Sequence, residues 1–134
     1  VVVAVVAAAS PAEADHFNMA KSKYRGQYWT ADLAPCRYAI MHRESGGSYT
    51  AKNSSSSARG AYQFLDSQWR TSLVHMMRKE TRRDYPDRLE MLEELVDVNI
   101  RYWPRFWQDH AFYRVANGTK NGLRHWNPLP SACK

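Results

Sequence analysis

The stretch LAPCRYAIMHRESGG, residues 33–47, decides the fold. Leu33, Cys36, Ile40 and Glu44 fall at i, i+3, i+7 and i+11, which is one face of a helix. That face is apolar until its last member, a glutamate. Asp32 is the expected N-cap and leaves Pro35 in the first turn, where its missing N–H costs little. Ser45-Gly46-Gly47 ends the helix, because glycine takes the left-handed conformation of a helix stop without strain.

Downstream, Tyr49 to Arg59 reads as a loop or short hairpin, with a polar run at Ser54–Ser57. A second small-residue turn follows at Gly60-Ala61-Tyr62-Gln63-Phe64. Asp66 is the expected N-cap of a second helix carrying Trp69, Leu73, Met76 and Met77 on one face. Pro86 opens a third helix, striped by Leu89, Leu92, Val96, Ile100 and Trp103, with Glu90, Glu93, Glu94 and Asp97 on the wet side. Pro104 kinks the chain or starts a fourth helix, with Phe106, Trp107, Ala111, Phe112 and Val115 as packing and Asn117-Gly118 as its stop. The remainder reads as irregular structure. The expected fold is mainly α, with a short loop or β-hairpin after the first core helix.

The chain has 134 residues and a formal charge of +6. That length suits one domain with a modest core. Residues 1–14 read as a secretory signal peptide truncated at its start. Val1 to Ala9 are apolar but too few to span a bilayer, and Ala12-x-Ala14 has the spacing of a cleavage site. The alternative is a buried Val-rich strand. Residues 15–30 form a polar extension with interspersed aromatics, and residues 31–134 the main domain. The two cysteines, Cys36 and Cys133, suggest one disulfide in an exported protein; two separate buried thiols are the alternative. No later segment is long and apolar enough for a transmembrane helix, so stable membrane insertion is not expected.

Burial disfavours the charged form of a carboxylic acid. An acid that keeps its proton in a cleft can hand it to a glycosidic oxygen. Glu44 sits at the end of an apolar face and is the candidate for that role. The alternative is a solvated glutamate, or one paired with Arg43 or Arg59.

The pattern around it resembles the lytic transglycosylase and goose-type lysozyme superfamily. Glu44-Ser45-Gly46-Gly47 is similar to its first motif. Gly60-Ala61-Tyr62-Gln63-Phe64 is similar to its Gly-x-x-Gln turn, about 16 residues on, and Trp69 follows. The likeness covers about residues 36–69, and more loosely the rest to Trp126. The branch of resuscitation-promoting factors and related actinobacterial and phage transglycosylase-like domains is the most similar, and its disulfide matches the placing of Cys36 and Cys133. The resemblance implies a lysozyme-like fold and cleavage of the β-1,4 bond from N-acetylmuramic acid to N-acetylglucosamine in peptidoglycan.

In that scheme Glu44 is the general acid and then the base, closing a 1,6-anhydro ring with no metal or cofactor. Ser45 and Gln63 would contact substrate, or Gln63 would hold the loop around Glu44. Tyr62 and Trp126 would stack on sugars. The family's third motif, Ala-Tyr-Asn-Ala-Gly, is closest to Val115-Ala116-Asn117-Gly118. Ala116 stands where the tyrosine belongs, with Tyr113, one turn earlier, as its substitute. A tyrosine, Tyr62, also stands where the commoner pattern has methionine.

Hydrolysis in place of transglycosylation needs a held water, usually with a second carboxylate. Asp66 is better explained as a cap. Asp109 reads as a surface residue of the aromatic helix, with a catalytic role as the alternative. The five histidines read as surface or packed, and His42 is the one closest in sequence to Glu44.

The expected product is therefore a secreted, extracellular wall enzyme, monomeric, acting on peptidoglycan glycan strands. A hydrolytic lysozyme and a non-catalytic wall-binding module are the alternatives. The positive charge suits anionic cell-wall polymers. Arg78, Lys79, Arg82 and Arg83 cluster at one helix end and not along a face with interleaved aromatics, so nucleic acid is not an expected partner; they also complement the helix dipole there.

Overall fold

The computed structural model describes residues 22–134. The expected signal peptide and the first part of the extension lie outside them. The described chain is mainly α, with one small two-stranded antiparallel sheet. Helix α1 spans Ala34–Ser45, α2 Asp66–Asp84, α3 Leu89–Glu94 and α4 Arg105–Gly118. Strands β1 (Ala58–Arg59) and β2 (Phe64–Leu65) pair Ala58 with Leu65 and Arg59 with Phe64. Short 3-10 turns fill much of the rest. Among the described residues, no helix is long and apolar enough to cross a membrane.

α1 follows its sequence pattern. Cys36, Ile40 and Met41 are buried, and Gly46 takes the left-handed conformation at φ 64°, donating its N–H to His42. Asp32 is not the cap. It lies exposed in a preceding 3-10 turn, Ala31–Leu33, and Leu33 precedes the helix without a side-chain cap bond.

The segment expected as a third helix is broken. α3 has six residues, a 3-10 turn follows at Leu95–Asp97, Val98 is extended, and a second 3-10 turn covers Ile100–Tyr102. The cause is remote. Asp66 Oδ1 accepts the Ile100 N–H at 2.8 Å, and Gln108 Nε2 donates to the carbonyls of Ile100 (3.1 Å) and Trp103 (3.0 Å). These side chains satisfy backbone groups that a continuous helix would have bonded internally. Asp66 is thus the first residue of α2 and not its N-cap, and its other oxygen pairs with Arg70 at 2.7 Å.

α4 is the central element. Trp107, Ala111, Phe112, Tyr113 and Val115 are buried on it together with Gln108, Asp109 and His110. Asp109 is fully buried, which corrects its expected surface position. It accepts from Tyr49 Oη (2.6 Å), Tyr62 Oη (2.5 Å) and the Lys23 backbone N–H (2.8 Å), and Arg37 lies 3.7 Å away. A buried charge is tolerated when it is paired and hydrogen-bonded in this way.

Residues 22–30 pack onto this core. Tyr24 is buried and donates to Glu80 of α2 at 2.8 Å, while Glu80 also accepts the Gln27 N–H at 3.1 Å. Cys36 and Cys133 form a disulfide across 97 residues, which ties the C-terminal 3-10 turn Ser131–Cys133 to α1. A loop of that length stabilises by about 4–5 kcal/mol in the chain-entropy model.

Candidate active site

Glu44 occupies the last turn of α1, with its side chain 26 % exposed. Its carboxylate meets the Arg43 guanidinium, Oε2 lying 2.9 Å from Nε and 2.8 Å from Nη2. Of the arrangements open to Glu44 from sequence, pairing with Arg43 is the one present. Arg43 also donates to the main-chain oxygens of Trp126 (2.8 Å) and Pro128. The C-terminal segment is thereby drawn onto the end of α1.

The second motif forms a tight turn behind it. Gly60 and Gln63 both take positive φ, 81° and 53°. The Gln63 amide donates to the Gly60 carbonyl at 3.0 Å, so it holds its own turn. Gln108 of α4 accepts the Ala61 N–H at 2.9 Å and fixes the turn from below. A side chain at Gly60 would come within 2.5 Å of that same Gln108 oxygen. Trp126 closes the triangle by donating Nε1–H to the Tyr62 carbonyl at 2.9 Å.

Three aromatics expected at the site are instead core. Tyr62 is 1 % exposed and Trp126 3 %, and Tyr113 is fully buried. Tyr62 lies between the Tyr49 and Phe112 rings, and Trp126 packs on Phe64 and Phe112. None of these faces is open to a pyranose. The Tyr113 hydroxyl is buried beside Arg37, so it does not substitute for a tyrosine contact to Glu44. Ser45 caps its own helix end, donating to the Met41 carbonyl (2.9 Å) and accepting from the Gly47 N–H (3.2 Å).

The group near Glu44 that sequence did not single out is His125. His125 lies in the 3-10 turn Gly122–Trp126, ringed by Phe64 (5.1 Å), Trp69 (5.0 Å) and Trp126 (4.7 Å). Burial pushes its pKa down from 6.5, and the nearby Glu44 charge opposes that shift. His42, the histidine nearest in sequence, is exposed and stacks on Tyr38. His125 and Trp69 line a cleft of about 420 Å³ with Val115, Thr119, Asn121 and Arg124. Among the described residues, no carboxylate lines that cleft. Asp66 and Asp109 are committed to buried hydrogen bonds elsewhere. Among the described residues, no three His, Cys, Asp or Glu side chains gather as a metal site.

No protein-family model, curated protein or solved structure matches the chain.

Proposed function

We propose that the protein is a secreted peptidoglycan lytic transglycosylase with a lysozyme-like domain, using Glu44 as its acid and base. The observation that carries this reading is the position of Glu44. It is the half-buried carboxylate at a glycine-ended helix stop, within electrostatic reach of His125 on a cleft wall. Glu44 gives a proton to the leaving glycosidic oxygen as the C1–O bond breaks. The resulting carboxylate takes the proton of the sugar's 6-hydroxyl, and O6 closes on C1. Arg43 must release Glu44 for this, and it can do so without being stranded, because the carbonyls of Trp126 and Pro128 still hold it. With Asp66 and Asp109 buried, no carboxylate among the described residues lines the cleft to hold a hydrolytic water, which favours the anhydro product over the lysozyme outcome.

The disulfide supports export, since such bonds persist in oxidising compartments. The charge of +6 supports attraction to anionic wall polymers, weakening as salt is added. A second reading, a wall-binding module without turnover, is favoured by the Arg43–Glu44 pair and by the burial of Tyr62, Tyr113 and Trp126.

Mass spectrometry of digested peptidoglycan separates these readings. Anhydro ends released by the wild type and lost in Glu44→Gln support the transglycosylase. Reducing ends indicate a lysozyme. Retention on walls with no soluble fragments indicates the binding module.

A further inference from the structure

A second, smaller pocket lies where α2, α4 and the packed segment 22–30 meet. Its volume is about 90 Å³, and none of its lining residues lines the cleft beside His125. Three cations line it: Lys79 and Arg83 from α2, and Arg114 from α4. Arg114 is held as a fixed fork. Its Nε donates to the Met76 carbonyl at 3.1 Å and its Nη1 to the Gly118 carbonyl at 2.6 Å, and the guanidinium lies over the Tyr28 ring, 5.0 Å from the centroid. Its Nη2 has no hydrogen bond among the described residues, and Lys79 has neither a hydrogen bond nor an ion pair among them. Arg83 bridges Gln27 Oε1 (2.5 Å) and the adjacent Asp84 carboxylate (2.8 Å), and so exposed an ion pair holds weakly.

The fold does not account for this grouping. Arg83 in the last turn of α2 complements the helix dipole, but Lys79 lies before that turn. The two are four residues apart on one helix, and like charges at that spacing weaken it. An anion held between them and Arg114 removes that cost. Glu80 is the one acid among the described residues lining the pocket. Its oxygens are taken by the Tyr24 hydroxyl (2.8 Å) and the Gln27 N–H (3.1 Å), with His110 Nε2 at 3.4 Å. Three cations against one such carboxylate leave the pocket positive.

We infer that this pocket binds a phosphoryl group, clamped by Lys79, Arg83 and Arg114. Arginine and lysine together suit a compact anion with several acceptor oxygens. The volume is far below the usual range of small-molecule sites, about 300–1,000 Å³, so a whole sugar or base does not enter. One phosphate of a chain that runs across the mouth does. The occupant is then a phosphodiester of a polyol-phosphate wall polymer, held apart from the cleft beside Glu44. That last step rests on the proposed wall function; the phosphate site does not.

The test uses the whole chain at about 0.15 M ionic strength, where charges more than about 8 Å apart are largely screened. Inorganic phosphate is titrated while the backbone amides of Gln27, Tyr28 and Arg83 are followed by NMR, and poly(glycerol phosphate) is titrated by calorimetry. Lys79→Gln/Arg83→Gln should bind the polymer about tenfold more weakly or worse, the worth of one charge-assisted hydrogen bond. Lys52→Gln/Lys120→Gln removes the same charge from exposed positions outside the pocket and should leave binding nearly unchanged. All four side chains are exposed, so both variants should fold, which thermal unfolding checks. Equal loss in the two double variants, or phosphate that moves none of those amides, overturns the site. Inorganic phosphate bound as tightly as the polymer, or oligothymidylate bound more tightly, overturns the wall-polymer assignment in favour of a free phosphate ester or nucleic acid. Digestion of phosphate-free peptidoglycan reports on the parent reading separately. Cleavage should persist in Lys79→Gln/Arg83→Gln, and cleavage that survives Glu44→Gln removes the acid whatever the phosphate titrations show.

Discussion

The Arg43 guanidinium is shared between the Glu44 carboxylate, 2.8 Å from Nη2, and the main-chain oxygens of Trp126 and Pro128. One side chain therefore joins the candidate acid to the segment that carries His125. Arg43 is 37 % exposed, so its ion pair with Glu44 contributes little stability. Its charged bonds to two carbonyls contribute more. Arg43→Ala should destabilise by about 1–2 kcal/mol and speed amide exchange in residues 122–128. Glu44→Gln should stay within about 0.5 kcal/mol of wild type. Urea denaturation with hydrogen exchange checks both; slow exchange in that segment after Arg43→Ala would show that other contacts hold it.

Asp109 is the counterpart case, a charge with no exposure at all. Asp109→Asn removes the counter-charge of buried Arg37 and, with its oxygen kept on the two tyrosine hydroxyls, sets an amide nitrogen against the Lys23 N–H that Oδ2 now accepts. Breaking a buried pair from one side costs about 3–5 kcal/mol. Most of a small domain's stability is of that size, so the variant should unfold at much lower urea than Glu44→Gln. Similar midpoints for the two would show that the Arg37–Asp109 pair does not hold the core together.

These two carboxylates show what the sequence made legible. The stripe from Leu33 to Glu44 and the glycines after it gave α1 and its stop, because helix periodicity and positive φ are local properties. Pro104 and Asn117-Gly118 also bounded α4, although its stop is the extended Thr119 and Gly118 does not take positive φ. The break after α3 was not legible, since the backbone there is bonded by Asp66 and Gln108 from other elements. Nor was the burial of Asp109, whose partners Tyr49 and Tyr62 lie 60 and 47 residues away. Tyr62 and Trp126 had motif positions that suggested an open face, but Phe112 of α4 covers both. His125 and Trp69 carried a weak signal only: a histidine beside a tryptophan, and an aromatic on the helix following the Gly-x-x-Gln turn.

Gly60 has two independent reasons to resist substitution. Its φ of 81° is strained for any residue with a Cβ, and a Cβ would press to within 2.5 Å of the Gln108 oxygen that holds Ala61. Gly60→Ala should destabilise by about 1–3 kcal/mol, from the backbone conformation and the displaced amide together. Pairing it with Gln108→Ala tests the mechanism. If the clash dominates, the double variant loses less than the sum of the single changes; strict additivity would assign the cost to the backbone alone.

Alkali should open the core through its tyrosines. Burial pushes the Tyr49 hydroxyl up from 10.0 to about 12, with the Asp109 charge adding to the shift. Tyr62 and Tyr24 are also raised, burial again being the largest cause. A folded-state pKa above the unfolded value means that the unfolded chain releases its proton first. The stabilisation is then complete below pH 10 and is lost as pH rises toward 12 and beyond. Unfolding followed by circular dichroism should therefore begin above about pH 10, together with the tyrosinate absorbance of these residues. Tyr49→Phe removes one of the titrating groups and should flatten that loss, at the cost of one hydrogen bond to Asp109 at neutral pH. Tyrosinate absorbance that reached its full amplitude near pH 10 while the helical signal persisted would show these hydroxyls to be solvent-exposed, contrary to the arrangement around Asp109 and Glu80.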